Sequence, residues 1–194
     1  MGCENLMLKS ALHRLALPAA ALAVVGCAAG IEEAPRRAWS AKELAAVRLD
    51  PAAAAADLNA YRAAKSLPPV RLDPALSAMA ERQAKAMASA GAISHDAAGS
   101  FSSRLAASGI DATEAGENLG GGYLSLSEAM SGWRHSPGHD ANLLMAGGSR
   151  FGIAIAKNPN TQYGVFWAME IAGEPRMTTT GQSGFLWGAP SGAH

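Results

Sequence analysis

The chain has 194 residues, 49% of them hydrophobic and 16% charged, with 16 Lys and Arg against 16 Asp and Glu. That size and balance suit one globular domain with a modest core, and without a basic excess there is no electrostatic basis for binding nucleic acid. The abundance of Ala and Gly predicts close-packed helices of small residues, with Trp133, Phe151, Phe166 and Trp167 as aromatic anchors.

At the N-terminus, Lys9, His13 and Arg14 precede an apolar run from Leu15 to Gly26 of about 12 residues. Such a run is too short to span a bilayer but has the length of a signal-peptide core. Val24-Val25-Gly26-Cys27 resembles the bacterial lipobox, whose cysteine receives the lipid and becomes the first residue of the mature protein. Residues 1–26 therefore read as a lipoprotein signal peptide, with Cys27 as the lipid anchor to the membrane. Met7 is an alternative start, because the region it opens is basic without Glu4. Ala28, where inner-membrane lipoproteins typically carry Asp, points to the outer membrane, facing the periplasm. Cys3 leaves with the signal and Cys27 carries lipid, so no thiols remain to pair and core packing alone must hold the domain.

Residues 27–50 read as a tether to the membrane. Within it, Ser40-Ala-Lys-Glu43 has the capping-box pattern, predicting a short helix to about Leu49. Asp50-Pro51 starts the next helix, Pro51 to Lys65, with Leu58 and Tyr61 inward. Leu67-Pro68-Pro69 forces an extended stretch. Asp73-Pro74 opens a longer helix with Leu76, Met79, Ala80, Gln83 and Met87 at helical spacing, a core stripe that Gly91 ends. Residues 93–122 are rich in Gly and Ser and read as a functional loop, with one helical turn at most around Arg104 and Leu105. Ser125-Leu-Ser-Glu128 is a second capping box, for a helix reaching Trp133 or Arg134. Ser136-Pro137 starts another helix, with Ser136 as the side-chain cap and His139 at its third position. Arg150 to Lys157 and Thr161 to Ile171 alternate apolar with small or polar residues around Asn158-Pro159-Asn160, a hairpin. Residues 174–194 read as a flexible tail.

Three polar residues stand out, from three separate segments: His95, Glu117 and His139. Two imidazoles and a carboxylate are the donor set of open zinc sites if the fold brings them together; isolated surface histidines are the commoner arrangement. The positive end of its helix lowers the pKa of His139 and favours neutral imidazole. His135 reads as a solvated loop residue. A Ser136/His139 nucleophile pair is disfavoured, because no elbow glycine pattern surrounds the serine.

The ordered series of Asn59 and Tyr61, His95, the Arg104 loop, Gly116-Glu117-Asn118-Leu119, Trp133 with Ser136 and His139, Asn142, Phe151-Gly152-Ile153-Ala154 and Trp167 resembles the CAP superfamily. This group holds the cysteine-rich secretory, antigen 5 and plant pathogenesis-related group 1 proteins, also called SCP-like. The resemblance runs from about Asp57 to Ala172 and implies an α+β fold, an α-β-α sandwich with a small antiparallel sheet between helical layers, over residues 51–173. It implies a cleft in which His95, Glu117 and His139 match three of the family's two histidines and two glutamates. Ser136 stands where eukaryotic members carry the second glutamate, and Glu128 belongs to its capping box. The resemblance thus allows an open divalent metal site, zinc or calcium, while the missing glutamate and disulfides argue against carrying over venom, sterol-carrier or receptor roles.

Three functions follow from these readings. The first is a lipid-anchored envelope module binding an unknown small-molecule, lipid or protein ligand through a cleft lined by His95, Glu117, His139 and Ser136. The second is a metal-assisted hydrolase with Glu117 as general base for a water held by the two histidines. The third is a purely structural envelope module. Trp133 is expected to wedge between its helix, the next helix and the Trp167 strand; the alternative is an exposed ligand-stacking ring.

Overall fold

A computed structural model describes residues 38–175, all within one compact unit. The signal peptide, Cys27 and residues 176–194 of the expected tail lie outside the described residues. In chain order the elements are α1 (Ala41–Ala46), α2 (Pro51–Ala63), β1 (Arg71–Leu72), α3 (Pro74–Ala90), α4 (Phe101–Ala107), β2 (Ala115–Gly121), α5 (Leu126–Arg134), α6 (Pro137–Leu143), β3 (Gly148–Asn158) and β4 (Gly164–Gly173).

Local chemistry sets most of the boundaries. Ser40 and Glu43 form the reciprocal capping box of α1. Asp50 and Asp73 each accept hydrogen bonds from two backbone N–H groups of the helices they cap, and each is followed by proline at the first helical position. Gly91 ends α3 with φ of 67°, a left-handed conformation that glycine adopts without a Cβ penalty. The extended stretch after α2 is latched by Asn59, whose side-chain amide exchanges two hydrogen bonds with the backbone of Val70.

The four strands lie in the order β1-β3-β4-β2. β3 and β4 form the expected antiparallel hairpin, β2 pairs antiparallel with β4, and the two-residue β1 joins β3 in parallel. One face of the sheet, with Leu119, Ala154, Phe166 and Ala168, packs on Ala80, Ala84 and Met87 of α3. A Cβ at Gly152 would lie 2.1 Å from the backbone nitrogen of Ser77, so the glycine is what lets α3 rest directly on β3. The other face, with Phe151, Ile153, Trp167, Met169 and Ile171, packs on Leu58 of α2, Met130 and Trp133 of α5, and Leu143 of α6. The helices therefore cover both faces, giving the expected α-β-α sandwich.

Two segments depart from the sequence expectation. Trp39, Leu44 and Val47 are buried in the same core as Trp133 and Trp167, and Lys157 donates to the Val47 carbonyl at 2.6 Å. Packing thus extends N-terminal to residue 51, and the expected tether, where it is described, is part of the domain. Residues 93–122 are not one long loop. They hold the two-turn helix α4, capped by Ser100, and the buried strand β2. Glycine composition masked that strand. A Cβ at Gly116, Gly120 or Gly121 would fall within 2.4 to 2.8 Å of a side-chain atom of Asn142, Tyr123 or Tyr163, so the glycines serve close packing rather than a turn.

Candidate functional site

The site is assembled where β2 meets β4 beneath α4. Glu117 on β2 lies directly across from Glu170 on β4, and both carboxylates are buried, with side-chain exposures of 3% and 0%. Arg104 reaches them from α4. Its Nη1 lies 3.2 Å from Oε1 of Glu170 and its Nη2 lies 2.7 Å from Oε2 of Glu117. The second approach is an ion pair whose angle falls short of a hydrogen bond. The guanidinium also donates from Nε to the Gly99 carbonyl and from Nη2 to the His95 carbonyl, both at 2.9 Å. It therefore fixes the loop bearing His95 as well as the two carboxylates.

His95 completes the cluster. Its Nδ1 lies 2.6 Å from Oε1 of Glu117, while its side chain is 62% exposed. With Nδ1 turned to the carboxylate, Nε2 is the ring atom left for a ligand. The backbone of His139 reaches the same strand from α6, where its carbonyl accepts from Asn118 Nδ2 at 3.0 Å. Asn142, one turn on, donates to the Glu117 carbonyl at 3.0 Å and to Asn118 Oδ1 at 2.9 Å. Partial burial, and then the neighbouring His95, lower the pKa of His139. His95 and Glu117 are thus in direct contact, and His139 stands close enough to feel His95 electrostatically.

Glu170 is where charge is managed. Burial first, then the charge of Glu117 and a hydrogen bond with it, push the Glu170 carboxyl up to about 9. Oε2 of each glutamate is buried without a conventional hydrogen-bond partner. A proton kept on the Glu170 carboxyl and turned toward Glu117 would serve both atoms. One guanidinium and that proton then balance the two buried carboxyl groups.

Glu117 is not placed to give an oxygen to a divalent ion. Oε1 of Glu117 is occupied by His95, Oε2 faces a guanidinium that cannot lose its charge, and the cluster is already neutralised. Among the described residues no group of three His, Cys, Asp or Glu side chains is placed to hold a metal. The contacts the structure shows are those of a polar cluster in which Arg104 stands beside the carboxylates; metal loading by His95, Glu117 and His139 is a question for titration.

Ser136 also differs from expectation. It occupies the N-cap position of α6 and its carbonyl accepts from Asp140 N at 2.8 Å, but its side chain makes no capping hydrogen bond. Pro137 and the backbone alone set this helix start. Ser125 caps α5 as expected, accepting from Glu128 N at 3.1 Å, but the Glu128 carboxylate accepts from Leu124 N, one residue before the cap, so the reciprocal half of the expected capping box is not formed. His135 is exposed, with Nδ1 at 2.7 Å from the Ser131 carbonyl.

Trp133 is fully buried and donates from Nε1 to the Leu119 carbonyl at 2.9 Å, so it is a core residue rather than a stacking platform. It holds β2 two residues from Glu117. Tyr61 donates to Asp140 at 2.7 Å and lies under the guanidinium of Arg134, which pairs with Asp57 at 2.8 Å, tying α2 to α5 and α6. Asp57, Ser131, Arg134 and His135 line a separate groove of about 520 Å³ between α2 and α5.

Sequence reasoning missed Glu170 and the role of Arg104. The readable signal for Glu170 was a single carboxylate inside the apolar run Val165-Phe-Trp-Ala-Met-Glu-Ile-Ala172. A charge in such a strand needs a buried partner.

Comparison with known structures agrees with this architecture. An extracellular protein containing a SCP domain from Bacillus anthracis str. Ames is similar at 24% identity and a TM-score of 0.56, over 63% of this chain and 40% of that one. A cysteine-rich secretory protein from Staphylococcus aureus subsp. aureus Mu50 is similar at 16% identity and 0.55, over 66% and 40%. An outer surface protein from Borrelia burgdorferi is similar at 18% identity and 0.57, over 64% and 96%. These likenesses concern the fold, and the chain spans only 40% of the length of the first two proteins. No curated protein matches the sequence. No helix among the described residues is long and apolar enough to cross a membrane. The family model for CAP, the cysteine-rich secretory protein family, matches residues 55–171, more than half of the chain, and the chain belongs to that family.

Proposed function

We propose that this chain is a lipid-anchored cell-envelope binding module, held at the outer membrane through Cys27 and facing the periplasm. It takes a small-molecule, lipid or protein ligand at the surface around His95, Glu117 and His139. One observation carries binding over hydrolysis: both oxygens of Glu117 are engaged, one by His95 and one by Arg104. A general base must reach the proton it abstracts, and Glu117 is buried, with one oxygen on His95 and the other facing Arg104 away from solvent. What the site offers a ligand is the exposed edge of His95, oriented from behind by a buried carboxylate.

That same contact supports a second reading. A carboxylate on Nδ1 orients an imidazole for proton transfer at Nε2, so a hydrolase would use His95 as the base and Glu117 as its positioning partner.

Imidazole resonances of His95 and His139, followed in the nitrogen-15-labelled chain, separate these readings. Three probes suffice: peptidoglycan fragments, phosphatidylethanolamine vesicles and a panel of nitrophenyl esters. Saturable shifts of both histidines with one of the first two, without turnover, match the binding module. Ester turnover lost in His95→Ala moves the assignment to the hydrolase, and the absence of any response removes the site from function.

A further inference from the structure

We infer that Arg104 is the built-in cation of this site: its guanidinium occupies the seat beside Glu117 and Glu170 that an exchangeable metal would need, and so makes the site metal-independent. The inference stands apart from the binding reading, since a metal-free cluster is compatible with a ligand site or with a structural one.

The arrangement around Arg104 is that of a bound ion rather than of a surface side chain. Its side chain is 5% exposed, and its nitrogens point at four oxygens: the two glutamate side chains and the carbonyls of His95 and Gly99. Those oxygens come from the loop between α3 and α4, from β2 and from β4, so one cation organises three parts of the chain. A lysine or histidine in this seat could release a proton and vacate its charge, whereas a guanidinium keeps its charge at every physiological pH. An incoming divalent ion would therefore meet a fixed positive charge in contact with the same carboxylates, in a place with little water to screen it. Glu170, entering from the neighbouring strand, supplies the second carboxyl group, and Arg104 bridges the two.

This predicts that removing the guanidinium while leaving its space empty creates a site for free cations. The test compares the full chain, purified in detergent, as wild type, Arg104→Ala, Arg104→Lys and His95→Ala. Zinc and calcium are titrated calorimetrically, and melting temperatures are recorded with and without zinc, calcium or low-millimolar guanidinium.

Wild type is expected to show no zinc or calcium binding that His95→Ala removes. Arg104→Ala is expected to melt lower than wild type and to recover selectively when guanidinium or a divalent ion is added, with wild type and Arg104→Lys unmoved. Stoichiometric zinc binding by wild type that His95→Ala abolishes overturns the inference, and this arm is decisive even where Arg104→Ala does not fold. An Arg104→Ala chain that folds and gains nothing from any cation also overturns it, by showing that the arginine fills space rather than a cation seat.

Discussion

Glu117 and Glu170 face each other across the β2–β4 pair, and Arg104 touches both. Because burial and Glu117 raise the Glu170 carboxyl to about 9, folding favours the protonated form. A carboxyl whose folded pKa lies above its unfolded value of 4.5 contributes stability in full below that value, and the contribution is lost as pH rises toward about 9. The chain should therefore become less stable from neutral to alkaline pH. Glu170→Gln keeps a donor toward Glu117 and an acceptor for Arg104 without a titrating proton. Urea melts between pH 6 and about 9 should fall more shallowly for this variant than for wild type. Parallel slopes would show that Glu170 does not hold the proton.

His139 works in the opposite sense. Its pKa is lowered by partial burial and by His95, so its neutral form is the one the fold favours. That contribution is present above the unfolded value of 6.5 and is lost as pH falls through the lower folded value. His139→Gln should lessen the acid sensitivity just below pH 6.5, measured as the change in melting temperature between neutral and mildly acidic buffer. An unchanged acid limb would place the sensitivity elsewhere.

Trp133 links the core to the site. Its truncation to alanine should cost about 3 to 5 kcal/mol, as for other large buried aromatics. Trp133→Phe should cost less, about 1 to 3 kcal/mol, because the Leu119 carbonyl loses its donor while most of the apolar contact stays. An alanine variant that melts close to wild type would contradict the buried placement.

Ser136→Ala should change stability by less than about 0.5 kcal/mol, because no side-chain hydrogen bond caps α6. A loss of about 1 kcal/mol or more, restored by Asn or Asp, would indicate a capping bond in solution.

Cys27→Ser should abolish incorporation of labelled palmitate and move the protein out of the membrane fraction. Labelling that persists in the serine variant would remove the lipid anchor from the proposed function.

The parts of this fold that could be read from sequence are those set by neighbours in the chain. Ser40 with Glu43, Asp73 with Pro74, and Gly91 fix their helix ends through contacts a few residues apart, and the alternation in β3 and β4 follows from their pairing with each other. β2 escaped notice because Gly116, Gly120 and Gly121 carry no strand preference of their own. Its conformation comes from register with β4 and from Asn142, Tyr123 and Tyr163 crowding its surface. Within the site, His95 and Glu117 were visible as residue types in a family pattern. The pairing of Arg104 with Glu117 and Glu170 is non-local, and no spacing encodes it. Trp39 was hidden for a related reason: its partners, Gln162 and Gly164, lie at the far end of the chain.

The account turns on Glu117 holding Nδ1 of His95 while Arg104 holds Glu117. Nitrogen-15 correlation spectra of the imidazole test this most directly. The neutral imidazole of His95 should carry its proton on Nδ1, showing a downfield Nδ1–H signal that weakens in Arg104→Ala and disappears in Glu117→Leu. A His95 with its proton on Nε2, unaffected by either substitution, would contradict it.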